Sequence, residues 1–367
     1  MINVLIVDDS LTTREYISYI IDQDPELRLV GAARNGQEAI QLVASASPDV
    51  VIMDIHMPGM DGYKATRTIM ETRPVPIIIH SSLVAPEQTK NIFNAMEAGA
   101  VAVAQKPPGI GNPETKPFME KLLRTVKLMA EVKVVRRRPA RPKKQSPESP
   151  ARILQATDLT GIEVIAIGAS TGGPPVLHQI FRELPPDFPV PIAVVQHITT
   201  GFLPGMLRWL GGDSRLDLKI ARTGDSLAPG HVYFAPEESN MGISDNGRIL
   251  VTKFGGQKEL KRPVTHLFMS VAQRCGARAV GILLTGMGDD GALGLKEMKR
   301  RGAQTLVQDR ETATVFGMPE SAIKLDAANY ILSPPEISDF LNGLSARGPQ
   351  KAKPSASVQL IDTDKNF

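Results

Sequence analysis

Short aliphatic runs alternate with segments of helical spacing through residues 1–125 of the chain. Val4–Val7, Leu27–Ala32, Val50–Met53, Val75–Ile79 and Val101–Ala104 each read as a buried strand. Leu11–Ile21 carries apolar residues at helical spacing, with Ser10 in front as an N-cap. Such alternation predicts a parallel sheet with helices on both faces, a flavodoxin-like (βα)5 unit. The pattern resumes with Val164–Ile167, Ile192–Val195 and Gly281–Leu284. A second α/β unit follows from it, a doubly wound, mostly parallel Rossmann-like sheet.

Between the two units the periodicity fades. Lys133, Arg136, Arg137, Arg138, Arg141, Lys143 and Lys144 crowd together there, interleaved with prolines and serines. A segment of that composition cannot bury a core, so it reads as a solubilising linker. The expected organisation is a first domain at 1–125, a basic linker at 126–160, a second domain at 161–345 and a disordered tail at 346–367. Hydrophobic residues make up 42% of the 367 residues, enough for two cores. The single cysteine, Cys275, cannot close an internal disulfide, so a reducing, cytoplasmic setting is expected. No run is apolar for long enough to span a bilayer, so membrane insertion is not expected. Aromatics are only 5%, and no recognition helix accompanies the basic segment, so nucleic acid is not an expected partner.

In a parallel α/β unit, ligands collect at the carboxyl ends of the strands. In the first unit those ends carry Asp8 and Asp9, Asp54, Ser81 and Lys106. Clustered carboxylates repel one another and call for a cation, and an all-oxygen set suits Mg²⁺. A hydroxyl and an ammonium beside them suit an anion. Together they form a phosphoryl-accepting site. His56 and His80 lie nearby and read as loop and strand-end filler.

In the second unit a strand runs into Gly168-Ala-Ser170-Thr-Gly172-Gly173-Pro174. This is a poor phosphate loop, because it lacks both the G-x-G-x-x-G spacing and a P-loop lysine. As G-x-S-x-G it matches a nucleophile elbow, although a bare glycine turn would look the same. A serine needs a base. His178 lies on the following helix and reads as surface, His231 as a turn residue and His266 as part of a helix. His197 ends an aliphatic run at the sheet edge where Ser170 also sits. Thr285-Gly-Met287-Gly-Asp289-Asp290-Gly291 follows another buried strand and brings paired carboxylates to the same edge. Its glycines allow backbone N–H groups to converge, as an oxyanion hole requires.

The first unit resembles the response-regulator receiver family through Val-Asp8-Asp9-Ser, Asp54-Ile-His-Met-Pro58-Gly-Met-Asp61-Gly62, Ser81-Ser82 and Lys106-Pro107. The resemblance implies that Asp54 accepts phosphate from a chemotaxis-type histidine kinase. It implies a Mg²⁺ held by Asp8, Asp9, Asp54 and the carbonyl of His56, with Ser81 and Lys106 reading the phosphoryl group. Val103 stands where many receivers have a switching aromatic.

The second unit resembles the chemotaxis receptor methylesterases, the CheB family. The resemblance rests on Gly168–Pro174, Gln196-His197, Gly201-Phe-Leu-Pro204, Pro229–Pro236, Leu284–Gly291 and Gly317-Met-Pro319. It implies a triad of Ser170 as nucleophile, His197 as base and Asp290 as orienting acid, with the Met287 N–H in the oxyanion role and no cofactor for hydrolysis. Asp289 reads as a solvated neighbour. The order serine, histidine, aspartate differs from that of α/β-hydrolases. The implied substrates are glutamyl γ-methyl esters of methyl-accepting chemoreceptors, which lose methanol, with glutamine deamidation as a second activity. Pro263-Val-Thr-His266 and Ser239-Asn240 depart from the family pattern. They are expected to affect receptor choice or domain packing and to leave the triad unaltered. A binding-only scaffold and a receiver-controlled transcription factor are the rival classes. Retention of Ser170, His197 and Asp290 argues against the first, and the lack of a DNA-reading helix argues against the second.

Overall fold

The computed structural model describes residues 1–82, 86–107, 115–132, 134, 161–255 and 261–345. The expected tail lies outside the described residues, as does the linker beyond residue 134.

The first sheet is parallel and ordered β2-β1-β3-β4-β5. Its strands are β1 (Ile2–Val7), β2 (Leu27–Ala33), β3 (Val50–Met53), β4 (Ile77–Ser81) and β5 (Ala102–Gln105). Five helices connect and cover them: α1 (Leu11–Asp22), α2 (Gly36–Ala46), α3 (Gly62–Thr72), α4 (Pro86–Ala98) and α5 (Thr115–Ala130). Alternate residues of β1 feed two cores, Leu5 and Val7 on one face, Val4 and Ile6 on the other. Burial on both faces is what makes these strands read as unbroken aliphatic runs. Ser10 caps α1 as expected, its side chain accepting the Thr13 N–H.

Two boundaries differ from expectation. The fourth strand begins at Ile77 rather than Val75, because Pro76 has no N–H for a ladder. Helix α5 runs on past residue 125 into the expected linker, because Val126 and Met129 still face the core.

The second sheet has seven strands, all paired in parallel, in the order β14-β13-β12-β6-β7-β9-β8. They are β6 (Val164–Ala169), β7 (Ile192–Gln196), β8 (Asp217–Ile220), β9 (His231–Phe234), β12 (Ala279–Leu283), β13 (Gln304–Gln308) and β14 (Tyr330–Leu332). The helices are α6 (Gly173–Glu183), α7 (Leu203–Gly211), α8 (Pro263–Cys275), α9 (Ala292–Arg300), α10 (Gly317–Lys324) and α11 (Pro334–Ser345). An antiparallel hairpin of β10 (Ser239–Ile243) and β11 (Ile249–Lys253) stands apart from the sheet. The chain leaves β6 toward β7 and later returns to β6's other side through β12. That reversal opens a crevice at the carboxyl end of β6, the usual ligand position in such sheets.

The two halves are packed together. One hydrophobic cluster contains Phe93 and Met96 of α4 as well as Phe181 of α6 and Trp209 of α7. The Phe93 and Trp209 rings stack at 5.3 Å, and the Trp209 indole N–H donates to Asn94 Oδ1 at 3.2 Å. No helix among the described residues is long and apolar enough to cross a membrane.

Candidate active site

Ser170 follows β6 directly. Its N–H donates to the Thr285 carbonyl at 3.0 Å, and its own carbonyl accepts from Gly173 N–H at 2.9 Å and Gln196 Nε2 at 2.8 Å. Gly172 makes the turn with φ of 78°, and a Cβ there would lie 2.4 Å from Thr314 Oγ1. Only glycine meets both demands. The turn therefore holds Ser170 at the head of α6, in the crevice between β6 and β12.

His197 follows β7, and its N–H donates to the Ala169 carbonyl at 2.9 Å. This bond fixes His197 one strand away from Ser170. The His197 ring meets Asp290 through Nε2 and Oδ2 at 2.9 Å. Asp290 is buried. Oδ2 also accepts the Val264 N–H, and Oδ1 accepts the N–H and Oγ1–H of Thr265. Helix α8 has no side-chain cap of its own. Asp290 takes that place from another loop, and the helix's positive end favours its charge. Burial pushes the Asp290 carboxyl up, but the bonds from His197 and Thr265 outweigh it and hold the group below the usual carboxylate range.

Segment 263–266, which departs from the family pattern, supplies the hydrogen bonds from Val264 and Thr265 that hold the Asp290 carboxylate. The reason is the helix terminus, whose free N–H groups of Val264 and Thr265 point at Asp290, joined by the Thr265 hydroxyl. Asp289 forms a half-exposed ion pair with Arg262 at 3.0 Å.

Ser170, His197 and Met287 line one cavity of about 340 Å³. Among the described residues Ser170 Oγ makes no hydrogen bond to the His197 ring. Such contacts often close only in a substrate complex. Met287 packs against a receiver-side core cluster that includes Met119, Leu122 and Met129. The far wall of the cavity comes from the first domain, including Val103, Thr125 and Leu128. Val103 also accepts a long hydrogen bond, 3.4 Å, from Thr199 Oγ1 of the second domain.

The other histidines take different positions. His178, expected on the surface, is buried: its ring lies 4.3 Å from that of Trp209, and Nε2 bonds Asp213 at 3.0 Å. The packing of α4 against α6 and α7 covers this face. His231 opens β9 and bonds the Pro229 carbonyl, and His266 lies in α8.

The second cluster sits at the strand ends of the first sheet. Carboxylate oxygens of Asp8, Asp9 and Asp54 lie within 4.8 Å of one another. Lys106 Nζ reaches Asp8 at 2.7 Å and Asp54 at 2.8 Å. Burial pushes the Asp54 carboxyl up, Lys106 pulls it down, and Asp8 adds to the rise, so the net direction is upward. Burial would lower the Lys106 ammonium, but the two aspartates hold it above its ordinary value. Ser81 is buried at the end of β4. His56 has an exposed side chain, while its N–H lies 3.5 Å from Asp54 Oδ1. His80 is buried with neither ring nitrogen bonded among the described residues; desolvation first, and Lys106 second, push it down to about 3.

A family profile described as CheB methylesterase matches residues 165–341, and one described as a response regulator receiver domain matches residues 4–112. The chain is 44% identical over 353 residues to a protein-glutamate methylesterase/protein-glutamine glutaminase of Nitrosospira multiformis, covering 96% of this chain and 99% of that one. It is 45% identical over 347 residues to a protein of that name, numbered 4, from Geobacter metallireducens, covering 94% and 99%. Among solved structures, the CheB methylesterase catalytic domain of Thermotoga maritima is 35% identical, covers 50% of this chain and 98% of its own, and gives a TM-score of 0.47.

Proposed function

The chain belongs to the CheB methylesterase family, with a response-regulator receiver in front of the enzyme domain, and from that premise we propose a phosphorylation-controlled protein-glutamate methylesterase acting on chemoreceptors. The observation that carries the reading is the His197–Asp290 pair at 2.9 Å, in a crevice whose cavity also exposes Ser170.

Ser170 Oγ attacks the γ-ester carbonyl of a receptor glutamyl residue. His197 takes the proton on Nδ1, the ring nitrogen that Asp290 leaves free. Asp290 holds the ring and stabilises its cationic form. Met287 lines the cavity, and in this reading its N–H receives the developing oxyanion. Methanol leaves with the proton returned by His197, and water then releases the glutamate from Ser170. Glutamine is deamidated by the same steps with ammonia as the leaving group.

Control comes from the first domain. Asp54 accepts the phosphoryl group from a chemotaxis-type histidine kinase, with Ser81 and Lys106 contacting its oxygens. The all-oxygen set of Asp8, Asp9 and Asp54 fits Mg²⁺, with the His56 carbonyl as a further ligand. When bound, the ion neutralises charge on the incoming group. Before phosphorylation the receiver forms the far wall of the Ser170 cavity and keeps a receptor helix out. Phosphorylation acts by favouring a state in which that wall withdraws.

The test is methanol release from methyl-labelled receptors, with and without a phosphodonor and Mg²⁺. Release should rise with phosphodonor, lose that response in Asp54→Ala and vanish in Ser170→Ala. Equal rates with and without phosphodonor would sink the control mechanism. Release that persists in Ser170→Ala would sink the nucleophile.

A further inference from the structure

Gln196 precedes His197 and ends β7, opposite Ala169 of β6. Its side chain joins the two loops that carry Ser170 and His197. Nε2 donates to the Ser170 carbonyl at 2.8 Å and to the His197 carbonyl at 2.8 Å. Both amide protons are used, one on each residue. The reverse orientation would set Oε1 against two carbonyl oxygens, so the hydrogen bonding fixes which way the amide points.

The amide is held there at a cost to stability. Gln196 Oε1 is buried with no hydrogen-bond partner among the described residues. A buried acceptor without a donor is unfavourable. Gly173, the first residue of α6, makes room for it. A Cβ at Gly173 would lie 2.2 Å from Gln196 Oε1 and 2.9 Å from Ala169 Cβ. Gly173 does not have a left-handed φ. Its backbone would accept a side chain, and the space beside it would not.

We propose that Gln196 is a positioning residue for hydrolysis: its amide ties the Ser170 turn to the His197 loop and sets the separation across which Ser170 Oγ and the His197 ring meet. That role rests on the reading of Ser170 as nucleophile and His197 as base. Gln196 acts through the two main chains. A misplacement of about 1 Å between reacting groups can cost about 10²-fold in rate.

The experiment measures kcat and KM for methanol release from methyl-labelled receptors by the full chain, with phosphodonor and Mg²⁺. Gln196→Met keeps the length of the side chain and loses both donors. Gln196→Glu keeps the shape and turns a carboxylate toward two carbonyl oxygens. Each should lower kcat about tenfold or more and move KM by less than about twofold. Protonation of the introduced carboxyl, favoured by those two oxygens, restores one O–H donor. As a fraction of wild type at the same pH, kcat of Gln196→Glu should rise about threefold or more between about pH 8 and about pH 6, and that of Gln196→Met should stay level. The ratio to wild type cancels the titration of His197. Both variants should keep the wild-type fold-rise on adding phosphodonor, which reports that they are folded.

Wild-type kcat in Gln196→Met would overturn the proposal, because filling the space would then suffice. So would a Gln196→Glu deficit that is the same at every pH, or a loss that falls on KM alone. With release abolished in Ser170→Ala, any of these leaves the reading of Ser170 standing. Release that persists in Ser170→Ala removes that reading, and the role of Gln196 with it.

Discussion

His197 Nε2 and Asp290 Oδ2 meet at 2.9 Å across loops that follow different strands, and Asp290 at the same time caps helix α8 through Val264 and Thr265. One carboxylate thus holds the His197 ring and caps a helix. Asp290→Asn keeps the size but places an N–H₂ where an acceptor is needed. Turnover of receptor ester should fall by roughly 10³–10⁴, mostly in kcat. Asp290→Ala should also lower stability by about 1–3 kcal/mol, because buried N–H groups lose their acceptor. Steady-state kinetics and denaturant unfolding separate the two effects.

Gly168 lies against the same arrangement from below. A methyl group there would sit 2.1 Å from Val264 Cγ1 and 3.1 Å from Leu283 Cδ1. Gly168→Ala should push α8 outward and carry Asp290 with it. A shift of this kind can cost about 10²-fold in rate, and overpacking about 1–3 kcal/mol in stability. A variant with wild-type kinetics would show that Val264 can give way without moving Asp290.

The Asp54 carboxyl is pushed above its ordinary value, burial being the main cause. A carboxyl whose folded pKa is raised above the model value of 3.8 lowers stability as pH rises through and above that range. Asp54→Asn removes this cost. Its unfolding midpoint should exceed that of the wild type at neutral pH, with the gap closing below about pH 4. The same variant should lose its response to phosphodonor. Thermal melts across pH check the first outcome and methanol release the second.

His80 produces the opposite pH window. Its folded pKa lies at about 3 against a model value of 6.5. The unfolded chain therefore binds the extra proton first, and stability falls as pH drops below 6.5, down to about 3. The slope contributed is up to about 1.4 kcal/mol per pH unit. His80→Leu should flatten that part of the acid-unfolding curve. An unchanged slope would mean that the folded protein accepts the proton on His80.

Trp209 is the single tryptophan of the chain and lies between Phe93 and His178 at the domain contact. Its emission should change when phosphodonor and Mg²⁺ are added, and should not change in Asp54→Ala. Asn94→Ala removes the acceptor of the indole N–H, and Phe93→Ala removes the stacked ring. Each should weaken the closed state by about 1 kcal/mol. Unphosphorylated activity toward receptor should rise accordingly.

Much of this protein was legible in its pattern. Aliphatic runs such as Val50–Met53 and Val164–Ile167 are buried on both faces, and that demand is satisfied by a parallel sheet. Strand ends then follow, and with them the placement of Asp8, Asp54, Ser170 and His197. Strand β4 was the exception at its start, which Pro76 moved from Val75 to Ile77, while Ser81 stands at its end as expected. His178 was misread because its helix faces another domain, and periodicity within one helix does not reveal what covers it.

What the sequence determined by itself is the local chemistry: the glycine turn at Gly172, the cap at Ser10, the carboxylates at strand ends. These depend on neighbours within a few residues. Only the tertiary structure decided that Asp290 closes the end of α8, that Val103 and Thr125 wall the Ser170 cavity, and that Trp209 is clamped from the other domain. Those contacts join residues far apart in the chain. They depend on how two folded surfaces meet, which no spacing along the sequence encodes.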